Sequence, residues 1–359
     1  MALPCLLPGT DSCHDWPTRK QEQIFHMPMN RRYFLKTTAL GAAAAVALPQ
    51  RLRSAPSNKI VLAIMGTNGR GLELAKGFLG QPDVEIAYIC DVDDNAIAKG
   101  LKLVNGLQKR EAKGGKDFRK ALEDKSVDAL VVAAPDHWHA PATILACSAG
   151  KHVYVEKPAS HNPQEGEWMI QAARKYNRVV QLGTQRRSMP GVQEAIEKLR
   201  SCAIGPVHFS RCWYNNSRPS IGHGKVAPVP AWLDYTLWQG PAPQREYHDN
   251  LIHYNWHWFW HWGTGELGNN GIHSLDICRW GLGVDYPIRV TSGGGKYRYD
   301  DDQETPDTHV VTYDFGDKSL DWEGRSWHRQ GFENSMFGIT FYGENGSIVI
   351  DGSNYRILD

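Results

Sequence analysis

The segment Gly66-Thr67-Asn68-Gly69-Arg70-Gly71 joins an apolar run to a stretch of helical pattern. A chain that turns so tightly from strand to helix needs glycine, and the N–H groups freed at the helix start attract a pyrophosphate. The familiar spacing is G-x-G-x-x-G; here Asn68 holds the middle place and the glycine is displaced to 69. Asp91 ends the next apolar run, twenty residues after Gly71 (91 − 71 = 20). A carboxylate at that point suits both ribose hydroxyls and repels a 2′-phosphate. The residues that follow, Val92-Asp93-Asp94, supply no arginine. Together these features predict a dinucleotide site that takes NAD in preference to NADP. A plain strand–turn–helix without a ligand would carry the same two features.

Further along, Trp232, Trp238, Tyr247, Tyr254, Trp256, Trp258, Phe259, Trp260 and Trp262 crowd one Pro/Trp-rich stretch, residues 226–262. Most of the chain's 13 tryptophans lie after residue 210. His253, His257 and His261 recur there every four residues. Aromatic faces cover the C–H face of a sugar while His and Asn reach its hydroxyls. The segment is therefore read as a carbohydrate cleft, with Trp256, His257 and Trp260 as substrate contacts. The bland alternative is core packing beneath a sheet, which several of these rings must do in any case. A metal at His257 and His261 would lack a clear carboxylate, Glu266 being nearest, and no metal is expected. Arg186, Arg187 and Arg211 suit an acidic sugar or simply mark strand ends.

These residues need elements to hold them. Apolar runs at 60–64, 84–90, 127–134, 152–155 and 179–182 alternate with helical segments near 70–80, 94–107, 139–149, 164–176 and 190–200. That βαβα rhythm predicts a parallel, doubly wound sheet. After about residue 205 the rhythm changes. Runs at 207–214, 310–315, 319–327, 337–342 and 347–350 have the alternation of an open, largely antiparallel sheet with one covered face. A helix is expected over 265–282. The fold class is thus α/β, with residues 58–185 as a cofactor domain and 186–359 as a substrate and oligomerisation domain. The chain stops just after a strand-like Tyr-Arg-Ile-Leu at 355–358, which suggests a truncated C-terminus.

Residues 1–57 are set apart as a leader. Arg31-Arg32 precede Phe34-Leu35-Lys36 and a small-residue apolar run from Ala39 to Leu48, the pattern of a twin-arginine export signal. The run is too short for a secure membrane span, and no span is expected in the mature protein. Ala45-Val46-Ala47 suits cleavage, and residues 1–28 lack any periodicity. An export signal places the protein in the periplasm or otherwise outside the cytoplasm. The net charge of +1 gives no bulk electrostatic case for nucleic acid or an anionic membrane. Seven cysteines with no C-x-x-C pair indicate neither a disulfide framework nor a zinc site.

Two more motifs carry a resemblance. Ala134-Pro135-Asp136-His137-Trp138-His139 follows the fourth apolar run, and Glu156-Lys157-Pro158 follows the fifth. With the glycine loop in register, residues 58–359 resemble the Gfo/Idh/MocA family, relatives of glucose–fructose oxidoreductase and inositol dehydrogenase. The resemblance implies an N-terminal Rossmann domain and a C-terminal α/β domain whose open sheet often forms the interface of a homo-oligomer. It implies oxidation or reduction of sugars and cyclitols with NAD(P). Gly66, Thr67, Asn68, Gly69, Arg70, Gly71, Asp91, Pro135, Asp136, His139, Glu156 and Lys157 would hold the cofactor. Lys157 would lie beside nicotinamide and substrate and stabilise a developing oxyanion, with Pro158, often cis in such proteins, aiming it. His139 would line the cofactor edge or merely open the next helix.

The family's substrate-side motif is D-x-x-x-H, and this chain has Asn269-Asn270-Gly271-Ile272-His273. The i, i+4 spacing puts Asn269 and His273 on one helical face. His273 is the natural general acid/base by its ordinary pKa. Asn269 cannot take a proton or stabilise an imidazolium by charge, though it can orient substrate. Lys157, His273 and Asn269 form the expected catalytic set. The expectation is an exported oxidoreductase acting on a sugar, cyclitol or glycoside hydroxyl, with its NAD carried out already bound and recycled. An NAD-dependent glycosidase working by transient oxidation, and a non-catalytic sugar-binding protein, are the alternatives.

Overall fold

A computed structural model describes residues 59–359 of the 359-residue chain. The leader and its paired arginines lie outside the described residues. β1 (Ile60–Met65) is buried along nearly its whole length, as a central parallel strand covered on both faces must be. Val61, Ala63 and Met65 face one apolar cluster, and Leu62 and Ile64 face another. Helices fill both sides, which is why the run reads as unbroken apolar rather than alternating.

The first sheet has the order β3-β2-β1-β4-β5-β6, all parallel. Its other strands are β2 (Val84–Cys90), β3 (Lys113–Gly115), β4 (Ala129–Val132), β5 (His152–Val155) and β6 (Val180–Leu182). This is the doubly wound order whose ligand crevice lies outside the carboxyl ends of the strands, where strand order reverses. The helices that matter for the crevice are α1 (Arg70–Leu79), α2 (Asp94–Leu107) and, after the short α3 (Arg119–Glu123), α4 (Asp136–Ser148). Cys90 and Cys147 are buried in this domain.

α5 (Pro163–Lys175) and α6 (Pro190–Arg200) lead to β7 (Val207–Asn215), the first strand of a seven-stranded sheet. Its order is β13-β12-β11-β7-β10-β9-β8. Every pairing is antiparallel except β7 with β10, so the open sheet is largely antiparallel. Its strands are β8 (Arg289–Gly295), β9 (Thr308–Asp314), β10 (Ser319–Arg325), β11 (Phe337–Gly343), β12 (Gly346–Asp351) and β13 (Asn354–Leu358). α6 and a later helix, α8 (Ile272–Leu282), cover one face through a core that includes Ile196, Cys212, Ile277, Trp322 and Phe341.

The aromatic segment does not take the bland alternative of packing beneath the open sheet. Residues 226–262, including the short helix α7 (Tyr235–Gln239), build a small core of their own from Leu233, Tyr235, Trp238, Tyr247, Leu251, Trp256 and Trp262. This core leans on the first sheet's end. Asp93 and Leu233 form an antiparallel bridge. Asp94 N–H donates to the Trp232 carbonyl at 3.0 Å, and Asp234 N–H to the Val92 carbonyl at 2.9 Å. The expected helix over 265–282 also differs at its start. A five-residue π turn, Leu267–Gly271, precedes α8. π turns are frequent at functional sites, and this one carries Asn269.

Candidate active site

The loop after β1 and the helix after it build one wall of the crevice. Gly66 sits at φ +87°, and a Cβ there would meet the Ala133 carbonyl oxygen at 2.5 Å. A Cβ on Gly71 would meet the Gly66 carbonyl oxygen at 1.8 Å. Glycine is therefore required at both places for the loop to close against β4 and α1. Gly69 caps α1 without any side-chain hydrogen bond, and a Cβ there would meet nothing within 4 Å. Gly69 and Arg70, at the start of α1, line the open cleft, the condition for an anion at a helix start.

Asp91, at the end of β2, is half-buried. Its Oδ2 accepts from Thr67 N–H at 2.6 Å and the Thr67 hydroxyl at 3.3 Å, and its Oδ1 from Asp93 N–H at 3.1 Å. Burial pushes its carboxyl pKa up against those bonds. Thr67 itself is fully buried and its hydroxyl also reaches the Ala96 carbonyl at 3.1 Å. It reaches the cleft only through Asp91. Between the loop, Asp91 and the aromatic segment lies a cleft of about 440 Å³, within the range of small-molecule sites.

Gly66, Asn68, Gly69, Arg70, Asp91, Pro135, Asp136, His139, Glu156, Lys157, Trp256, His257 and Asn269 all line this one cleft. Gly71 stands behind the loop as a packing residue. Arg70 and Glu156 pair with each other at 2.8 Å across the cleft wall, with Glu156 nearly buried. Asp136 is buried, takes a hydrogen bond from the Thr264 hydroxyl at 2.6 Å, and has its pKa raised by that burial. The glycine cradle, the free helix start and Asp91 fit a nicotinamide dinucleotide.

At the floor, the Lys157 ammonium donates to the Asn269 carbonyl at 2.7 Å and to its Oδ1 at 3.2 Å. The peptide between Lys157 and Pro158 is cis. An ammonium has three donors, so Asn269 aims this one and leaves a donor over. Burial lowers the Lys157 pKa, opposed by Asp136, Glu156 and Glu266. Asn269 thus meets the lysine directly.

His273 does not line the cleft. It lies within electrostatic reach of Lys157, Arg186 and Arg70, and burial first, then those cations, bring its pKa down to about 3. It is a neutral imidazole at ordinary pH. A π turn, in place of the regular helix expected, leads from Asn269 to His273 in α8.

Trp260 also stands elsewhere. The 3₁₀ turn Asn255–Trp258 ends in extended backbone at Phe259, and Trp260 projects outward at 55% exposure, its N–H donating to Glu304. That break also scatters the three histidines. His253 pairs with Asp93 at 2.9 Å, His257 meets the Tyr254 carbonyl at 2.6 Å, and His261 meets the Pro243 carbonyl at 2.6 Å. His257 stacks on Trp256 with ring centres 3.6 Å apart, and burial brings its pKa down to about 3. No cluster of three or more His, Cys, Asp or Glu among the described residues could hold a metal ion.

Some residues escaped the sequence reading. Arg218 holds the nearly buried Glu266 at 2.6 and 3.2 Å and donates to the Tyr254 hydroxyl at 2.9 Å. Asn270 ties the same carboxylate to the π turn. His253 and Tyr254 line the cleft beside Asp91. In the sequence, His253 and Tyr254 stand out only as members of the aromatic, histidine-spaced segment, and nothing there points to Arg218. Arg187 is fully engaged by Asp276 at 2.7 Å on both oxygens, and Arg186 lies over the Phe337 ring, so neither is a free anion contact.

Comparison with known proteins agrees with this geometry. The chain's similarity to a "Glycosyl hydrolase family 109 protein" of Stenotrophomonas maltophilia is 34% identity over 143 residues, 38% of this chain and 31% of that protein. A protein of the same description from Parabacteroides distasonis is 23% identical over 293 residues, 77% of this chain and 61% of its own length. The chain therefore spans less than two thirds of these curated relatives. Among solved structures, a levoglucosan dehydrogenase complexed with NADH and levoglucosan superposes with a TM-score of 0.63 at 19% identity, covering 82% of this chain and 73% of that one, which speaks to the fold. Residues 60–184 match the oxidoreductase family model for an NAD-binding Rossmann fold, and residues 214–320 match that family's C-terminal alpha/beta domain. On both matches, this chain belongs to the Gfo/Idh/MocA oxidoreductase family and carries its NAD-binding Rossmann fold.

Proposed function

We propose that this protein oxidises or reduces a ring hydroxyl of a sugar, cyclitol or glycoside, using an NAD that stays bound between turnovers. The observation that carries this reading is the Lys157 ammonium, fixed by both oxygens of Asn269 at the floor of the dinucleotide cleft. Bound NAD supplies the hydride acceptor or donor opposite the carbinol carbon. Lys157 offers its remaining N–H to the reacting oxygen and stabilises the charge that develops there. Neutral His273, within electrostatic reach of Lys157, is the candidate acceptor of the hydroxyl proton. Trp256 and His257 give the substrate an aromatic wall with a polar edge. A carbohydrate substrate accords with the sugar-directed names of the relatives.

Retention of the cofactor rests on the aromatic segment. It is tied to the β2 end by the Asp93–Leu233 bridge and by His253 on Asp93, with His253 stacked on Trp232 at 5.7 Å. A dinucleotide on Asp91 would lie beneath these contacts. Asp91 and the absence of a following arginine favour NAD over NADP.

A second reading is a redox-neutral glycosidase, favoured by the likeness to glycosyl hydrolase family 109 proteins. Transient oxidation would acidify a neighbouring C–H, a base would take that proton as the glycosidic bond breaks, water would add, and the hydride would return. We further propose export by the twin-arginine route and a homo-oligomer formed on the open sheet, whose β8 is exposed along nearly its whole length. Lys157→Ala tests the main reading. Turnover should fall roughly a hundredfold or more while NAD content is unchanged; equal loss of both would contradict the role. Release of a nitrophenol from a nitrophenyl glycoside without net NADH would select the second reading.

A further inference from the structure

No cation follows Asp91 in the sequence, yet the fold brings one to it. β3 ends at Gly115, which pairs with Cys90 across the sheet, and Asp91 N–H donates to the Gly115 carbonyl at 3.2 Å. Lys116, the next residue, therefore leaves the end of β3 alongside Asp91, and both line the dinucleotide cleft. Lys116 also lines a second hollow of about 620 Å³, so its side chain is not walled in. Its ammonium is held at 3.0 Å by Asp94, in the first turn of α2.

From this geometry we propose that the ribose end of the cleft carries a latent site for a 2′-phosphate, built on Lys116 and silenced by Asp94. Asp91 is one reason that NAD is preferred, since its carboxylate repels that phosphate. Three of its roughly four acceptor positions are taken by Thr67 N–H, the Thr67 hydroxyl and Asp93 N–H, which leaves a place for a ribose hydroxyl. Asp94 is the second reason. It adds a negative charge at the same end and takes up the lysine that would otherwise meet the phosphate.

The hold on Lys116 is light. The pair is partly exposed, Lys116 at 35% and Asp94 at 56%, and such pairs are weak in water. An ammonium is a point charge on a flexible stem, so one substitution at Asp94 releases it. Lys99, another cation near the glycine loop, ties the Asn68 carbonyl at 3.1 Å and is not among the residues that line the cleft. Lys116 and Asp94 are thus specificity-determining residues for the cofactor. Cofactor choice is read at the dinucleotide site alone, so the chemistry proposed for Lys157 does not enter the test.

The full-length protein and its variants are purified from cells grown identically, denatured, and assayed for the NAD and NADP that each releases. One cellular pool supplies both, so a change in their ratio is a change in relative affinity. Where a protein purifies empty, isothermal titration with NAD and with NADP gives the same ratio. Asp94→Asn keeps the fold, because Asp93 still caps α2 and the Asp94 backbone still donates to Trp232. Its NADP-to-NAD ratio should rise about tenfold, the effect of one partly hydrated ammonium–phosphate bond. The rise should vanish in Asp94→Asn/Lys116→Ala and persist in Asp94→Asn/Lys99→Ala. An unchanged ratio in Asp94→Asn would overturn the latent site. So would a rise that survives the loss of Lys116, since removal of repulsion alone would then account for it. A protein that takes up neither dinucleotide would overturn the cleft assignment itself, a failure distinct from that of Lys116.

Discussion

At the residue scale, Asn269 places a neutral amide beside Lys157 where the resembled D-x-x-x-H motif would have a carboxylate. Asn269 gives Lys157 two acceptors but no charge. Burial therefore keeps the upper hand and the lysine's pKa stays below its ordinary value. Placing a carboxylate there, Asn269→Asp, favours the ammonium. The Lys157 limb of the pH–rate profile should then move to higher pH, with NAD content unchanged; a limb that stays in place or moves down would show that Lys157 is not the titrating group. The glycine loop offers a sharper contrast. Gly71→Ala drives a methyl into the Gly66 carbonyl and should abolish NAD binding, because the loop cannot close. Gly69→Ala, with open space around it, should fold normally and weaken NAD binding only by crowding the pyrophosphate. Isothermal titration of both variants checks the pair.

At the scale of elements, the segment 226–262 acts as a roof tied to the β2 end. Asp93 both caps α2, accepting from Asn95 N–H at 2.7 Å, and takes His253. His253→Ala removes the 2.9 Å contact with Asp93 and the stack on Trp232 while leaving Asp93 its capping bond. Release of NAD should accelerate by about tenfold, the worth of one partly exposed pair plus one ring contact, with thermal stability changed little. An unchanged release rate would mean that the roof does not hold the cofactor. This tie was not legible in the sequence, since no local pattern links His253 to Asp93. By contrast, Gly66, Asp91 and the Glu156-Lys157-Pro158 turn were legible, because strand ends in a doubly wound sheet impose short, local spacings. β3 escaped because it is three residues long with two glycines, and β8 because its Gly-rich, exposed strand has no buried face to imprint alternation. Trp260 was assigned to the cleft from composition; backbone direction after the 3₁₀ turn decided otherwise.

At the scale of the whole molecule, three neutral imidazoles set an acid limit. His137 is brought down to about 4, and His257 and His273 to about 3, each first by burial. In the unfolded chain these rings titrate near their ordinary value. Between that value and the folded values the unfolded state binds more protons, so stability falls as pH falls. His137 is nearly fully buried, and its share is on the order of 3 kcal/mol once pH drops below about 4. Denaturant midpoints measured from pH 7 to pH 4 should decline steadily, and less steeply in His137→Gln; a flat profile would contradict the burial of these rings as neutral groups. The open sheet and the roofed cleft otherwise leave the two halves distinct tasks: the parallel sheet presents the dinucleotide site, and the π turn before α8 brings Asn269 to it.

The proposed function requires that NAD stay on the chain between turnovers. The measurement that tests it most directly is to purify the mature protein without added cofactor, denature it, and assay the supernatant for NAD(H). About one dinucleotide per chain is expected, released only on denaturation. A protein that is empty on purification and fails to take up added NAD would contradict it.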